Sequence, residues 1–395
     1  MDKVIFSLEI SDSKEHRYAS LALPATDYEM LDVLDKFGVQ DETPLRWQVE
    51  AHQRFGCLVP FLDGSGSLND LNHLARELAQ MDQDIGTAFE GLLQVEIEKK
   101  EPFGLPTLIN LAHNANLGVC YVQPVRSDQE LGEFYVDNDL LPELAALPDD
   151  IIKLLDYGKI GREQREGECG VYVPQRWDSP GGYVTQHTEM ESIYDSLPHA
   201  PQKPAAAIIL QLEHDLFQTR LELPADSQAM DAALDAIAAG GWDDAIHIRC
   251  LDCAAPALIS SIGDDDNIAH INRLAQTLAE MDPPQLTKFK AVLAATEDLS
   301  VLGATHIAYN LDEYLFTPQY ASPEDMARDF LLSSLGEPAM ATLSKYVNLY
   351  GYGEKLMEEQ QCGLTEYGMV SREDGQCLKT SLSPTASIQG GMEMM

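Results

Sequence analysis

The chain has 395 residues, 45% of them hydrophobic, enough for several packed cores. Its 26 Lys and Arg stand against 65 Asp and Glu, a formal charge of −39, which argues against binding to nucleic acid or anionic membrane and favours basic partners. Seven scattered cysteines fit a reducing cytoplasm better than a disulfide framework, and neither a signal-peptide pattern nor a run of about 18 apolar residues is present.

Residues 3–10 and 18–23 predict two strands around a turn, and 206–213 and 217–223 repeat that layout. Leu21-Ala-Leu-Pro-Ala25 is echoed by Leu221-Glu-Leu-Pro-Ala225. Pro24 and Pro224 stop a strand, and Asp27 or Asp226–Ser227 is placed to cap the next helix. That helix carries Met30, Leu34 and Asp35 in one copy and Met230, Leu234 and Asp235 in the other. A short strand is expected at Trp47–Val49 and again at Ala245–Ile248. The 200-residue offset holds into the next block, where Leu71, Asn72, Leu74, Ala75, Leu78 and Met81 match Ile271, Asn272, Leu274, Ala275, Leu278 and Met281. Apolar residues at steps of three and four predict a helix there, and a second around Ala88–Val95 and Leu286–Leu293. A fixed offset through two blocks points to tandem duplication.

The third block, 106–175 and 302–372, mixes apolar runs, acidic helices and Gly-rich turns, with the copies drifting apart. The expected fold is α+β and elongated, with two tandem copies of three modules each. The first copy holds a β-rich module at 1–63, a helical module at 64–105 and an α/β module at 106–175. A Pro/Gly-containing linker is expected at 176–204, with local packing of Tyr183–Tyr194 left open. The second copy comprises 205–262, 263–301 and 302–372, and a polar tail at 373–395 reads as disordered.

Nothing in the chain reads as an enzyme. There is no phosphate loop, zinc helix or nucleophile elbow, and the ten histidines are dispersed. Cys250-Leu-Asp-Cys253 has half a zinc-ribbon spacing without its partner pair, so no metal and no cofactor is expected. The acids are more telling. Each half is acidic by itself, with 15 basic and 36 acidic residues in 1–200 and 11 and 29 in 201–395. From Ser127 to Asp150 the chain carries Asp128, Glu130, Glu133, Asp137, Asp139, Glu143, Asp149 and Asp150 with no Lys or Arg. The second copy offers Asp282, Glu324, Asp325 and Asp329, and then Glu354 and Glu358. Like charges at i,i+3 or i,i+4 lie about 5–6 Å apart and cost a few tenths of a kcal/mol each. A row of unpaired carboxylates has the chemistry of a phosphate mimic, because a partner's Arg and Lys expect fixed anions. Duplex DNA carries about one charge per 1.7 Å, so a charge of −39 corresponds to roughly 66 Å of duplex. A halophilic or merely solvated acidic surface would give the same composition.

The third block of the second copy resembles the C-terminal part of ArdA-type antirestriction proteins. The carriers are Ile307-Ala-Tyr309-Asn310-Leu311-Asp312, Tyr350-Gly-Tyr-Gly353 and Cys362-Gly-Leu-Thr365-Glu366-Tyr367-Gly368. The first copy has the same look in Leu108-Ile-Asn110, in Ser127 to Val136 and in Asp156-Tyr157-Gly158. The helical blocks, with Asn72-x-Leu74-Ala75 and Asn272-x-Leu274-Ala275, look like the family's middle region. The copies depart from the pattern in different places. The first has His113-Asn114-Ala115-Asn116 and ends Cys169-Gly170-Val171-Tyr172-Val173 without the Thr-Glu-Tyr-Gly stretch, and the second has Met326-Ala327 for Leu-Gly.

The resemblance implies an elongated DNA mimic that blocks restriction-modification enzymes, foremost type I systems, by occupying their DNA cleft. It also implies a bacterial cytoplasmic setting and an origin on a mobile element or phage. Two other readings stay open: a decoy for another defence complex such as a CRISPR nuclease, and an acidic scaffold or chaperone for basic proteins. Two copies in one chain imitate a dimer and leave further self-association open.

Overall fold

The structure is a computed structural model that describes residues 4–378 apart from 13–16, 63, 65, 145–147, 177–178, 243–244, 339 and 341–344. The expected tail beyond 378 lies outside the described residues.

In chain order the first half runs β1 (Phe6–Asp12), β2 (Tyr18–Leu23), α1 (Asp27–Phe37), β3 (Leu45–His52), a 3-10 turn, α2 (Leu68–Gln80), α3 (Gln83–Glu98) and α4 (Leu105–Asn114). It continues with β4 (Val119–Val122), α5 (Asp128–Asp137), α6 (Asp149–Ile152), α7 (Tyr157–Gly167), β5 (Val171–Val173) and β6 (Gly182–Gln186). The second half begins with β7 (Ile208–His214), β8 (Phe217–Leu223), α8 (Ser227–Ala236), β9 (His247–Cys253), a 3-10 turn, α9 (Ile268–Glu280), α10 (Pro283–Thr296) and α11 (Val301–Tyr309). It closes with β10 (Tyr314–Thr317), α12 (Pro323–Leu335), α13 (Leu349–Glu359), β11 (Gly363–Thr365) and β12 (Gly368–Arg372). This is the mixed α+β composition that the patterning predicts. The sheets recur as well, with orders β2-β1-β3 and β8-β7-β9, then β4-β6-β5 and β10-β12-β11.

The chain divides into two compact units, Met1–Ser13, Ser20–Ala25 and Glu42–Pro201, against Lys14–Ala19, Thr26–Asp41 and Gln202–Met395. In the first unit β1 pairs with β3 in antiparallel register from Phe6↔His52 to Asp12↔Leu45, and Phe6, Leu8 and Ile10 alternate into the core. Helix α2 buries Leu71, Leu74 and Leu78 at 0, 0 and 1% exposure, each such burial contributing about 1.5–3 kcal/mol. A clasp joins helix to sheet: Ala25 N donates to Asn72 Oδ1 at 2.8 Å and Asn72 Nδ2 donates back to the Ala25 carbonyl at 3.1 Å. The same clasp closes between Ala225 and Asn272 in the second unit, at 2.8 and 2.9 Å. The repeated Leu-x-Leu-Pro-Ala and Asn-x-Leu-Ala motifs thus meet in one backbone-satisfying contact.

The stretch 176–204, expected as a linker, is more than that. Its β6 is the central strand of the β4-β6-β5 sheet, buried from Gly182 to Thr185. The segment after β6 is fastened to the same unit. Asn114 bonds the Glu191 backbone at both its N–H and its carbonyl, and Asn110 Oδ1 accepts from Ile193 N and Tyr194 N. The buried Asp70 carboxylate holds Tyr194 Oη at 2.6 Å and His199 Nδ1 at 2.8 Å. Composition signalled turns here, but Tyr183-Val184-Thr185 is a β-forming triplet whose partner strands lie about 10 and more than 60 residues upstream.

Helix α1 is the second departure. By sequence it belongs to the first copy, yet it packs as part of the second unit. Its cap is Thr26, not Asp27: Glu29 N donates to Thr26 Oγ1 at 3.1 Å and Glu29 Oε2 accepts from Thr26 N at 2.7 Å, a reciprocal capping box. Gly38, at φ 64°, ends the helix in the left-handed conformation.

Candidate functional site

The carboxylates singled out in the sequence gather mainly on one recurring motif, a pair of helices beside the smaller sheet of each unit. In the first unit these are α5 and α7. They approach so closely that a Cβ on Gly132 would lie 1.9 Å from the Tyr157 carbonyl oxygen, and one on Gly161 would lie 1.9 Å from that of Asp128. Only glycine permits this contact of backbones. In the second unit α12 and α13 pair the same way, with a Cβ on Gly353 falling 1.9 Å from the Pro323 carbonyl oxygen. The Tyr350-Gly-Tyr-Gly353 motif is therefore a helix-crossing element.

On α5, Ser127 caps the helix by accepting from Glu130 N at 3.2 Å. Glu130 turns back so that its Oε2 accepts from Arg126 N at 2.6 Å, and Glu133 accepts from Gln129 Nε2 at 2.7 Å. Both stay exposed, as does Asp137 at the last position of the helix. Spacing of i, i+3 and i+7 puts the three on one helix face, about 10 Å from first to last along the axis. Asp139, at φ 53°, and Glu143 extend the acidic run as exposed residues of the following turn. Asp150 is exposed, with Lys153 Nζ 3.9 Å away; the side chain of Asp149 lies outside the described residues.

Asp128 is different. Arg165 Nε reaches it at 2.9 Å, Arg162 Nε at 3.4 Å and Tyr172 Oη at 2.9 Å. The Arg165 hydrogen bond, then that of Tyr172, holds its carboxyl below the ordinary aspartate range. This acid serves the α5–α7 contact. The counter-charges that local sequence lacked come from α7, 34 and 37 residues downstream.

In the second unit Glu324, Asp325 and Asp329 lie on α12, and Glu354 and Glu358 on α13 packed against it. Asp325 is half-buried and accepts from Ala321 N and Ser322 N, both at 2.9 Å, as the third-position member of the capping box headed by Ser322. Asp329 accepts from Tyr320 Oη, whose pKa burial and this carboxylate push up to about 12. Glu324, Glu354 and Glu358 are exposed. Asp282 is exposed but stands apart from this pair, as the N-cap of α10 in a capping box with Gln285. Matching Ser127 with Ser322 sets Arg328 and Leu332 opposite Glu133 and Asp137. Helix α12 thus presents mixed chemistry where α5 carries acids and no Lys or Arg.

A buried ionic cluster in the second unit went unseen in the sequence. Lys290 Nζ, its side chain 3% exposed, lies 2.9 Å from Asp32 Oδ1 and 2.7 Å from Asp35 Oδ2. Tyr367 Oη donates to Asp32 at 2.9–3.1 Å, and Lys36 bridges Asp32 and Glu366 at 3.3 and 2.7 Å. Burial pulls the Lys290 pKa down, but Asp32 and then Asp35 outweigh it and hold the ammonium above its usual value. Tyr367 is driven far up by burial and by Asp32. The signal was a break in the repeat: at the 200-residue offset Asp32 faces Ala232 and Lys290 faces Glu90. Glu366-Tyr367 thus has a structural duty, closing over α1.

Among the described residues no group of three or more His, Cys, Asp and Glu side chains is arranged to hold a metal ion, and no helix is long and apolar enough to cross a membrane. Cys250 and Cys253 lie buried in β9, where burial pushes both thiols up, Cys253 to about 12. In comparison with known proteins, no family model and no curated protein matches the chain.

Proposed function

We propose that this protein is a DNA-mimic antirestriction protein, a competitive decoy for the DNA-binding groove of a bacterial defence complex, foremost a type I restriction-modification enzyme. The observation that carries the reading is the α5 face, where Glu130, Glu133 and Asp137 stand exposed in a row with no cation of their own helix beside them. Asp139 and Glu143 prolong it. The row is fixed in place by an N-cap and by a glycine-mediated helix crossing, so the anions are preorganised as phosphates are on a duplex. The partner is a protein groove lined by Lys and Arg, and release of its bound counter-anions contributes to association. The chain itself does not bind nucleic acid, and its role is inhibition without catalysis.

The test is competition. Purified protein should displace DNA from a type I methyltransferase core, with affinity falling as salt rises because screening shortens to about 8 Å at 0.15 M. Inhibition that leaves the enzyme's DNA bound would refute the decoy mechanism. A CRISPR effector tested in the same assay decides between defence targets. Indiscriminate binding to unrelated basic proteins such as lysozyme would favour the scaffold reading.

A further inference from the structure

Helix α1 and the first half of α10 leave a cleft of about 390 Å³ between them, wholly within the second unit and inside the range of about 300–1,000 Å³ usual for small-molecule sites. Its walls are apolar, with Leu31 and Leu34 from α1, Val39 from the turn that follows, and Pro283 and Leu286 from α10. Two unlike charges line the same space. The Asp35 side chain, 28% exposed, takes Lys290 Nζ on Oδ2 at 2.7 Å, while its Oδ1 has no hydrogen-bond partner among the described residues. Lys203, exposed on the segment before β7, brings an ammonium with no ion-pair partner among the described residues. The first copy is built differently at this place. At the 200-residue offset Pro283, Leu286 and Lys290 face Gln83, Gly86 and Glu90. A Cβ on Gly86 would lie 1.9 Å from the Arg54 guanidinium, which is pinned over it by the Met81 and Asp82 carbonyls at 3.0 and 2.9 Å.

We propose that this cleft is a binding site for a free amino acid with an apolar side chain. Its ammonium donates to Asp35 Oδ1, its carboxylate meets the Lys203 ammonium, and its side chain lies against Leu31, Leu34 and Leu286. Simpler ligands fit less well. A plain organic ammonium sets a second cation beside Lys203, and a plain carboxylate brings like charge against Asp35 in a chain of −39. An uncharged apolar molecule desolvates both charges and pairs neither. A zwitterion satisfies both and adds no net charge. The cleft shares no residue with the α5 face, so this is a second function, independent of the decoy reading.

Saturation-transfer difference NMR on the full-length chain, at neutral pH and low salt, tests this with L-phenylalanine and L-leucine as probes. Both should bind saturably at one site. Phenethylamine and phenylpropionate each keep the ring and one charge, and each should bind at least about tenfold more weakly, having lost one charge-assisted hydrogen bond. Glycine, with both charges and no side chain, should be weaker still. Asp35→Asn and Lys203→Ala should each weaken L-phenylalanine by about tenfold or more. Should Asp35→Asn disturb the fold through Lys290, Val39→Trp keeps the proposal testable, since it fills the cleft from the turn after α1, leaves the ion pairs alone and should abolish binding. The proposal is overturned if neither amino acid binds, or if binding survives Val39→Trp or is unchanged by Lys203→Ala. Phenethylamine or phenylpropionate binding as tightly as L-phenylalanine would make the cleft a site for a simple cation or anion and overturn it too.

Discussion

Replacing Lys290 by Met tests the buried cluster directly. The substitution keeps the unbranched volume and removes the ammonium that lies 2.9 Å from Asp32 and 2.7 Å from Asp35. Breaking a buried ion pair typically costs about 3–5 kcal/mol, because the remaining charge is left without its partner. Here Asp32 keeps Lys36 at 3.3 Å and the Tyr367 hydroxyl, and Asp35 is partly solvated, so the lower figure of about 3 kcal/mol applies. With a urea m-value of about 2 kcal/mol/M, the second unit's unfolding midpoint should fall by about 1.5 M. The double variant Lys290→Met with Asp32→Leu should recover part of that loss, since the buried Asp32 charge goes with the ammonium while the Tyr367 hydroxyl, left without its acceptor, still costs about 1–3 kcal/mol. The measurement is a double-mutant cycle followed by near-ultraviolet circular dichroism. A loss below about 1 kcal/mol for the single variant, or strict additivity in the double, would refute the assignment of these residues to one coupled cluster. The pH dependence has a definite sign. A lysine raised on folding stabilises fully below its unfolded pKa of about 10.4, and this is lost as pH climbs through the folded value, so wild type should converge on Lys290→Met in strong alkali.

Gly132→Ala forces a methyl into the Tyr157 carbonyl and should cost about 1–3 kcal/mol in thermal unfolding, whereas Gly167→Ala, whose Cβ meets open space, should not destabilise. Asp128, depressed on folding chiefly by Arg165, stabilises above its unfolded pKa of about 3.9 and ceases to as pH falls through its lower folded value; Asp128→Asn should remove that portion of the acid-unfolding curve below pH 4 and leave its neutral-pH destabilisation visible in urea. Joint Glu130→Lys, Glu133→Lys and Asp137→Lys should weaken target binding strongly and flatten its salt dependence without unfolding the chain, while single changes should do little. Unchanged inhibition by that triple variant, with its circular dichroism intact, would remove the α5 face from the proposed interface.

The element pattern was legible in the sequence because its causes are local. Apolar steps of three and four marked α2 and α9, and runs of strand-forming residues marked β1 and β7. The acidic face of α5 was legible for the same reason, since i, i+3 and i+7 share a helix face whatever surrounds it. What tertiary structure alone decided concerns partners far apart in the chain. Sequence could not tell that Asp128 is neutralised by α7 while Glu130 and Glu133 stay exposed, because the arginines arrive across a glycine crossing. Nor could it place β6, whose strand partners come from beyond local range. The residence of α1 in the second unit depends on Lys290 and Tyr367, more than 250 and 330 residues away. Periodicity reports which face a residue occupies, and only packing, with the desolvation it imposes on a charge, determines what that face meets.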